Sequence, residues 1–215
     1  MQPKLPILQA QGLCFSHHPA PAPRLFDELA IALPPGVSWL GGDESSGKTT
    51  LLQLLAGALL PASGQLQVQG ISLAQDRPAY RERVAWLDPR DSALDAQTCR
   101  QIFADLPRHH PAFDPEALQQ HINGLSLAPH LDKRLSMLST GTRRKVLIAA
   151  VLAAQAPVTL LDQPFMALDR PSIAYLLDFL AAAAQHPHRA WLVADYEAPE
   201  GVALATVIAL GALIR

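Results

Sequence analysis

Two cysteines in 215 residues, Cys14 and Cys99, leave no disulfide framework. Both read as reduced thiols, as expected of a cytosolic protein. Long apolar runs are also lacking. No stretch reaches the roughly 18 residues that span a bilayer, and the longest, from Gly201 to Ile214, carries glycines and reads as buried strand and helix. The opening Met-Gln-Pro-Lys-Leu-Pro lacks the basic-then-apolar pattern of a signal peptide. Charge is scarce, at 17% of residues and a net −2, so no global bias toward nucleic acid exists. No repeat and no low-complexity tail is present. What remains is 49% hydrophobic, enough for one globular domain with a substantial core.

The most informative stretch is Leu-Gly-Gly-Asp-Glu-Ser-Ser-Gly-Lys-Thr-Thr, Leu40 to Thr50. Gly42, Gly47, Lys48 and Thr49 satisfy G-x-x-x-x-G-K-[ST], with Asp43, Glu44, Ser45 and Ser46 between the glycines. An apolar run, Val37 to Leu40, precedes it and Leu51 to Leu55 follows. Strand, glycine loop, helix is the context in which backbone N–H groups and a helix N-terminus cradle a phosphate. Lys48 is placed to reach the outer phosphates, Thr49 to help hold Mg²⁺, and Thr50 supplies the next hydroxyl. An ordinary helix-capping turn needs neither the lysine nor the threonine.

The pattern along the chain predicts strands over 5–15, 25–33, 37–40, 65–69, 84–87, 158–162, 190–194 and 207–210. A proline-rich loop covers 16–24. Helices are expected over 51–60, over 99–106 with Thr98 as cap, and over 115–122 with Asp114 as cap and Pro115 at the first turn. Further helices are expected over 142–155 and 171–184. Strands alternating with helices mean an α/β fold with a largely parallel central sheet, and 65–69 adds an antiparallel region. The expected division is one domain over 1–215. Its nucleotide-binding core is 1–90 and 156–215, and its helical subdomain is 91–155.

Three later stretches narrow the family. Leu138-Ser139-Thr140-Gly141-Thr142 resembles the L-S-G-G-Q signature of ATP-binding cassette (ABC) proteins. Leu160-Leu161-Asp162-Gln163-Pro164 resembles their Walker B strand, and Met166-Ala167-Leu168-Asp169 resembles the D-loop that follows. Order and spacing fit over essentially the whole chain. The resemblance implies a P-loop NTPase of ABC architecture that binds ATP with Mg²⁺, the metal held by Thr49 and Asp162. It implies that Ser139 and Gly141 contact the γ-phosphate of ATP held by a second ABC domain, in a homodimer or heterodimer, with Asp169 at that interface. The adenine-stacking position aligns with His17, with Phe15 the alternative. A separate membrane permease is the implied partner, contacted through the helical region with Phe103, Leu106 and Phe113, and this places the chain on the cytoplasmic face of the membrane.

The sequence departs from the family in an uneven way. The general-base Glu is Gln163, which can orient water but not accept its proton, so assistance of about 10²–10⁴-fold is at stake. The switch His aligns with Asp195, whose charge would repel a γ-phosphate. The Gln after the 84–87 strand is missing, and Asp88 stands in as a candidate water-mediated metal contact. Ser45 replaces a loop glycine, and Asp43 and Glu44 put carboxylates beside the phosphates. Thr140 and Thr142 replace the first signature Gly and the Gln. The groups that hold nucleotide, Lys48, Thr49 and Asp162, remain, while the groups that drive hydrolysis, with Gln163 and Asp195 in the catalytic positions, are altered.

Two functional expectations follow: a transporter's nucleotide-binding subunit that hydrolyses ATP slowly alone, or a non-hydrolysing ATP-binding partner of a competent subunit. A P-loop kinase or a soluble ABC protein of DNA repair or translation fits less well, because of the signature stretch and the single cassette. Compact size and Asp162-Gln163-Pro164-Phe165 resemble small bacterial export cassettes. The remaining signals read as structural. Arg143-Arg144-Lys145 is a solvated helix face, His109, His110, His121 and His130 are solvated, and Trp39, Trp86 and Trp191 pack in the core. Asp88, Asp91 and Asp95 lack the rest of a Ca²⁺ loop.

Overall fold

The computed structural model describes residues 5–18 and 23–213. Residues 19–22 of the proline-rich loop lie outside the described residues, as do 1–4, Ile214 and Arg215.

Two sheets share the strands. The first is antiparallel, in the order β2 (Phe26–Leu33), β1 (Leu8–Phe15), β4 (Ser63–Val68), β5 (Ile71–Ser72). Its register sets Leu8 opposite both Leu33 and Val68, all fully buried. The second is parallel, in the order β6 (Val84–Ala85), β7 (Val158–Asp162), β8 (Ala190–Ala194), β3 (Gly36–Gly41), β9 (Leu204–Ala209). Every pairing in it is parallel. This is the expected α/β arrangement.

Alternation along β7 and β8 divides the interior, because successive side chains point to opposite faces. Leu160 and Leu192 face a core shared with the antiparallel sheet and helix α1 (Lys48–Leu55). Leu161 and Val193 face a second core built with α3 (Cys99–His109), α4 (Pro115–Gly124), α5 (Thr140–Ala153) and α6 (Arg170–Ala183), counting α2 as Arg77–Glu82. Strands buried on both faces read as continuous apolar runs, which is why 158–162 and 190–194 were legible. Residues 204–209 form an edge strand that is half exposed, so the apolar C-terminal stretch is less buried than its composition implies. It leads into a short α7 (Leu210–Leu213).

Helix α1 begins at Lys48 and ends at Leu55, not over 51–60. The glycine loop delivers its first turn directly, and Gly57, in the left-handed region at φ +66, lies just past its end. Helix α3 keeps its Thr98–Gln101 capping box but runs on through Pro107 to His109. Helix α2, with Asp76 as cap and Pro78 in its first turn, was not anticipated. No helix among the described residues is long and apolar enough to cross a membrane.

Candidate functional site

The site forms at the carboxyl ends of β3, β7 and β8, where an open parallel sheet places its ligands. The loop after β3 holds Gly47 at φ +92, and a Cβ there would press on the Phe26 ring at 3.0 Å. Ser45, in place of the usual glycine, is held at φ +61, a conformation that a residue with a Cβ adopts at a cost of about 1 kcal/mol. Ser46 Oγ is buried without a partner.

Lys48 is 5% exposed and its Nζ donates to the carbonyls of Gly42 and Asp43, the second at 2.8 Å. Burial lowers its pKa from the usual lysine value, and the carboxylates of Asp162, Asp195, Asp43 and Glu44 act in the opposite direction. Thr49 Oγ1 donates to Asp162 Oδ2 at 2.7 Å, which joins the start of α1 to the end of β7. Asp162 Oδ1 is buried with no partner. Burial raises the Asp162 pKa, against the Thr49 hydrogen bond. A hydroxyl and a buried carboxylate with one orphaned oxygen are a hard-oxygen set that fits Mg²⁺. Thr50 Oγ1 lies 3.2 Å from His17 Nε2, and His17 packs edge-on against Phe15 at 5.0 Å, so the two aromatic candidates flank the loop together.

Asp195 is tied by its N–H to Leu40 O at 3.2 Å. Burial raises its pKa. Gln163 is 9% exposed in a left-handed conformation, φ +46, and is held through its backbone: its N–H donates to Ala194 O at 2.7 Å. Asp88 accepts from Gln53 Nε2 at 3.3 Å and from Arg90 N at 2.9 Å, which turns it partly toward α1 and its own loop.

Ser139 and Gly141 do not join this group. Ser139 caps α5, accepting from Thr142 N at 3.2 Å. Gly141 lies against the D-loop, where a Cβ would meet Ala167 O at 2.2 Å. Asp169 caps α6 and accepts from Lys145 Nζ at 2.7 Å; the Lys145 and Ser172 hydrogen bonds hold its carboxyl down to about 2.

The basic stretch 143–145 is not a solvated face. Arg144 is 6% exposed and donates to Asp162 O at 2.9 Å and Gln163 O at 2.6 Å, clamping the signature helix to the end of β7. Arg143 binds Asp95, Asp91 O and Pro89 O. A triplet of cations carries no sign of which of them a neighbouring carbonyl claims, so sequence reasoning missed these roles. His121 is likewise buried, its Nδ1 2.8 Å from the Tyr175 hydroxyl. Tyr196, not singled out in the sequence, lies over Lys48. Phe103 and Leu106 belong to the second core, with Phe113 packed against it. Beside α3 a cavity of about 790 Å³ opens between α2, the 86–97 loop and α3, lined by Arg77, Arg81, Trp86, Asp88, Leu106 and His110.

Comparison with known proteins supplies the family. The ABC transporter family matches residues 28–166. The cytochrome c biogenesis ATP-binding export protein CcmA of Pseudomonas putida is 33% identical over 159 residues, 74% of this chain and 76% of that protein. The protein of the same name from Nitrosococcus oceani is 34% identical over 183 residues, 83% and 82% of the two chains. A solved ATP-binding subunit of an ABC transporter shares the fold with a TM-score of 0.76 at 18% identity, over 87% of this chain and 79% of that one. The ATP-binding cassette MJ0796, dimeric and bound to ADP and Pi, gives 0.74 at 18%, over 88% of each. The chain belongs to the ABC transporter family, as one of its ATP-binding subunits.

Proposed function

We propose that the chain binds ATP with Mg²⁺ between β3 and β7, pairs with a second ABC domain, and serves a separate membrane permease on the cytoplasmic side. The observation that carries the nucleotide reading is the convergence of Lys48, Thr49 and Asp162, with Asp162 Oδ1 buried and unpartnered. Lys48 turns from the loop carbonyls to the outer phosphates, and the N–H groups of the 42–49 loop take the remaining oxygens. Thr49 and Asp162 would hold Mg²⁺, which would supply positive charge against the phosphate chain. Asp88 is a candidate water-mediated contact to it. His17 and Phe15 flank the adenine side. Exposed Ser139, with half-buried Gly141 beside it, is offered to a partner's γ-phosphate at the start of α5. We take 1–90 and 156–215 as the nucleotide-binding core and 91–155 as the helical subdomain, and the cavity beside α3 as the permease side.

Hydrolysis is the weak function. Gln163 orients water without accepting its proton, and Asp195 brings a carboxylate where a donor is needed. A slow site, or the weaker half of a heterodimer, is the reading these residues support. Because its curated relatives are named cytochrome c biogenesis export proteins, we assign the chain to an export system of that type. Equilibrium ATP titration with and without Mg²⁺ tests the site. The wild type gains affinity with Mg²⁺, and Asp162→Ala loses that gain. Equal Mg²⁺ enhancement in the two proteins contradicts the assignment of Asp162.

A further inference from the structure

Lys48 is almost fully covered, although the phosphates it is built for come from outside. Part of its cover comes from the far end of the chain. The Tyr196 ring lies over Nζ, 4.4 Å from atom to centroid, and Tyr196 itself is 51% exposed. The carbonyls of Gly42 and Asp43 occupy the other sides. Two carbonyls and an aromatic face thus surround a group with three N–H donors. The carbonyls belong to the loop itself, but the ring does not. Its backbone is pinned: Asp195 N donates to Leu40 O at 3.2 Å, and Tyr196 N to Asp195 Oδ1 at 2.8 Å. The half-exposed side chain can swing about its own χ angles while β8 stays in place.

We propose that Tyr196 is a lid on the phosphate site that competes with the nucleotide's phosphate chain for Lys48. It rests on the reading of Lys48 as a phosphate ligand. In the closed arrangement the ring face stabilises the ammonium in its inward position. A phosphate chain binds only when Lys48 turns outward and the ring leaves it. The contact that is lost belongs to the free protein, so removing the ring raises affinity. A cation–π pair with one half-exposed partner, worth about 0.5–1 kcal/mol, corresponds to a gain of about 2–5-fold. The contact is at the ammonium, so the gain follows the phosphates and not the base.

The test is equilibrium titration of the full chain with fluorescent analogues of ATP, ADP and adenosine in Mg²⁺, for wild type, Tyr196→Ala, Tyr196→Leu and Tyr196→Phe. Alanine and leucine bind ATP and ADP about 2–5-fold tighter than wild type and adenosine no tighter, while phenylalanine, which keeps the ring, matches wild type. Leucine fills the volume without a ring face, so it reports on the lid even where alanine fails to fold. ATP affinity equal to or weaker than wild type in these two variants overturns the lid, and wild-type binding then leaves the nucleotide reading standing. Failure of all four proteins to bind ATP removes that reading and the lid with it.

Discussion

The two ends of the parallel sheet bury polar groups in different surroundings. At the carboxyl ends of the strands, Lys48, Asp162 and Arg144 are 5%, 7% and 6% exposed, three ionisable groups within one small volume. Their partners are backbone carbonyls and one hydroxyl, and Asp162 keeps an orphaned oxygen. At the amino ends, His121 is stacked edge-on against Phe179 at 5.4 Å, Phe179 against Trp191 at 6.1 Å, and the Arg189 guanidinium lies 4.6 Å over Trp191. Arg189 also donates to Ala156 O at 2.9 Å, just before β7. Buried charge is costly unless paired. In the proposed reading a cation and a phosphate chain would complete the carboxyl end, whereas at the amino end His121 Nε2, Arg189 Nη2 and Trp191 Nε1 are also buried without partners but are enclosed by aromatic packing. Changes at one end therefore move binding, and changes at the other move stability.

The amino end carries the larger predicted effect. Burial, helped by the nearby Arg189 charge, lowers the His121 pKa from 6.5 to about 4, against a weaker pull from Asp114. Between those values the unfolded chain binds the extra proton, so the contribution of neutral His121 is full above 6.5 and is lost as pH falls toward 4. The loss is about 2 kcal/mol of unfolding free energy at pH 5 and approaches about 3 kcal/mol below pH 4. Denaturant titrations at pH 7.5 and 5 measure it. His121→Gln flattens the pH dependence and leaves ATP affinity unchanged; an unaltered pH slope in that variant breaks the contrast.

The carboxyl end responds the other way. Lys48→Ala weakens ATP binding by about 10–100-fold, the loss of charge-assisted hydrogen bonds worth about 1.5–3 kcal/mol. Its unfolding free energy stays level or rises, because a desolvated ammonium has been removed. A nucleotide titration beside a denaturant melt separates the two quantities. A large loss of stability without a loss of affinity reverses the roles of the two ends.

How much of this was legible depends on how local each signal is. The phosphate loop, the strand ending at Asp162, and the caps at Thr98 and Asp114 are written in adjacent residues, and each lies in the expected kind of element. Asp76 with Pro78 is close to the signal of Asp114 with Pro115, with the proline one position later, and α2 could have been read from it. Strand β5 could not, because two residues carry no periodicity. The environments of Arg144, His121 and Tyr196 are set by distant segments, carbonyls after β7, aromatics on α6 and a lysine on α1, and spacing along the chain does not contain them. The altered hydrolytic positions were visible as residue types. Their surroundings were not: Gln163 is held by its backbone in a left-handed turn, and Asp195 is tied to Leu40.

The central claim is that the carboxyl end is complete for holding nucleotide and short of one base. Single-turnover hydrolysis of Mg²⁺·ATP, wild type beside Gln163→Glu, tests it most directly. The predicted result is ATP bound by both proteins, slow turnover in wild type, and a rate raised about 10²-fold or more by the new carboxylate. Ready hydrolysis by wild type with no gain in the variant would contradict it.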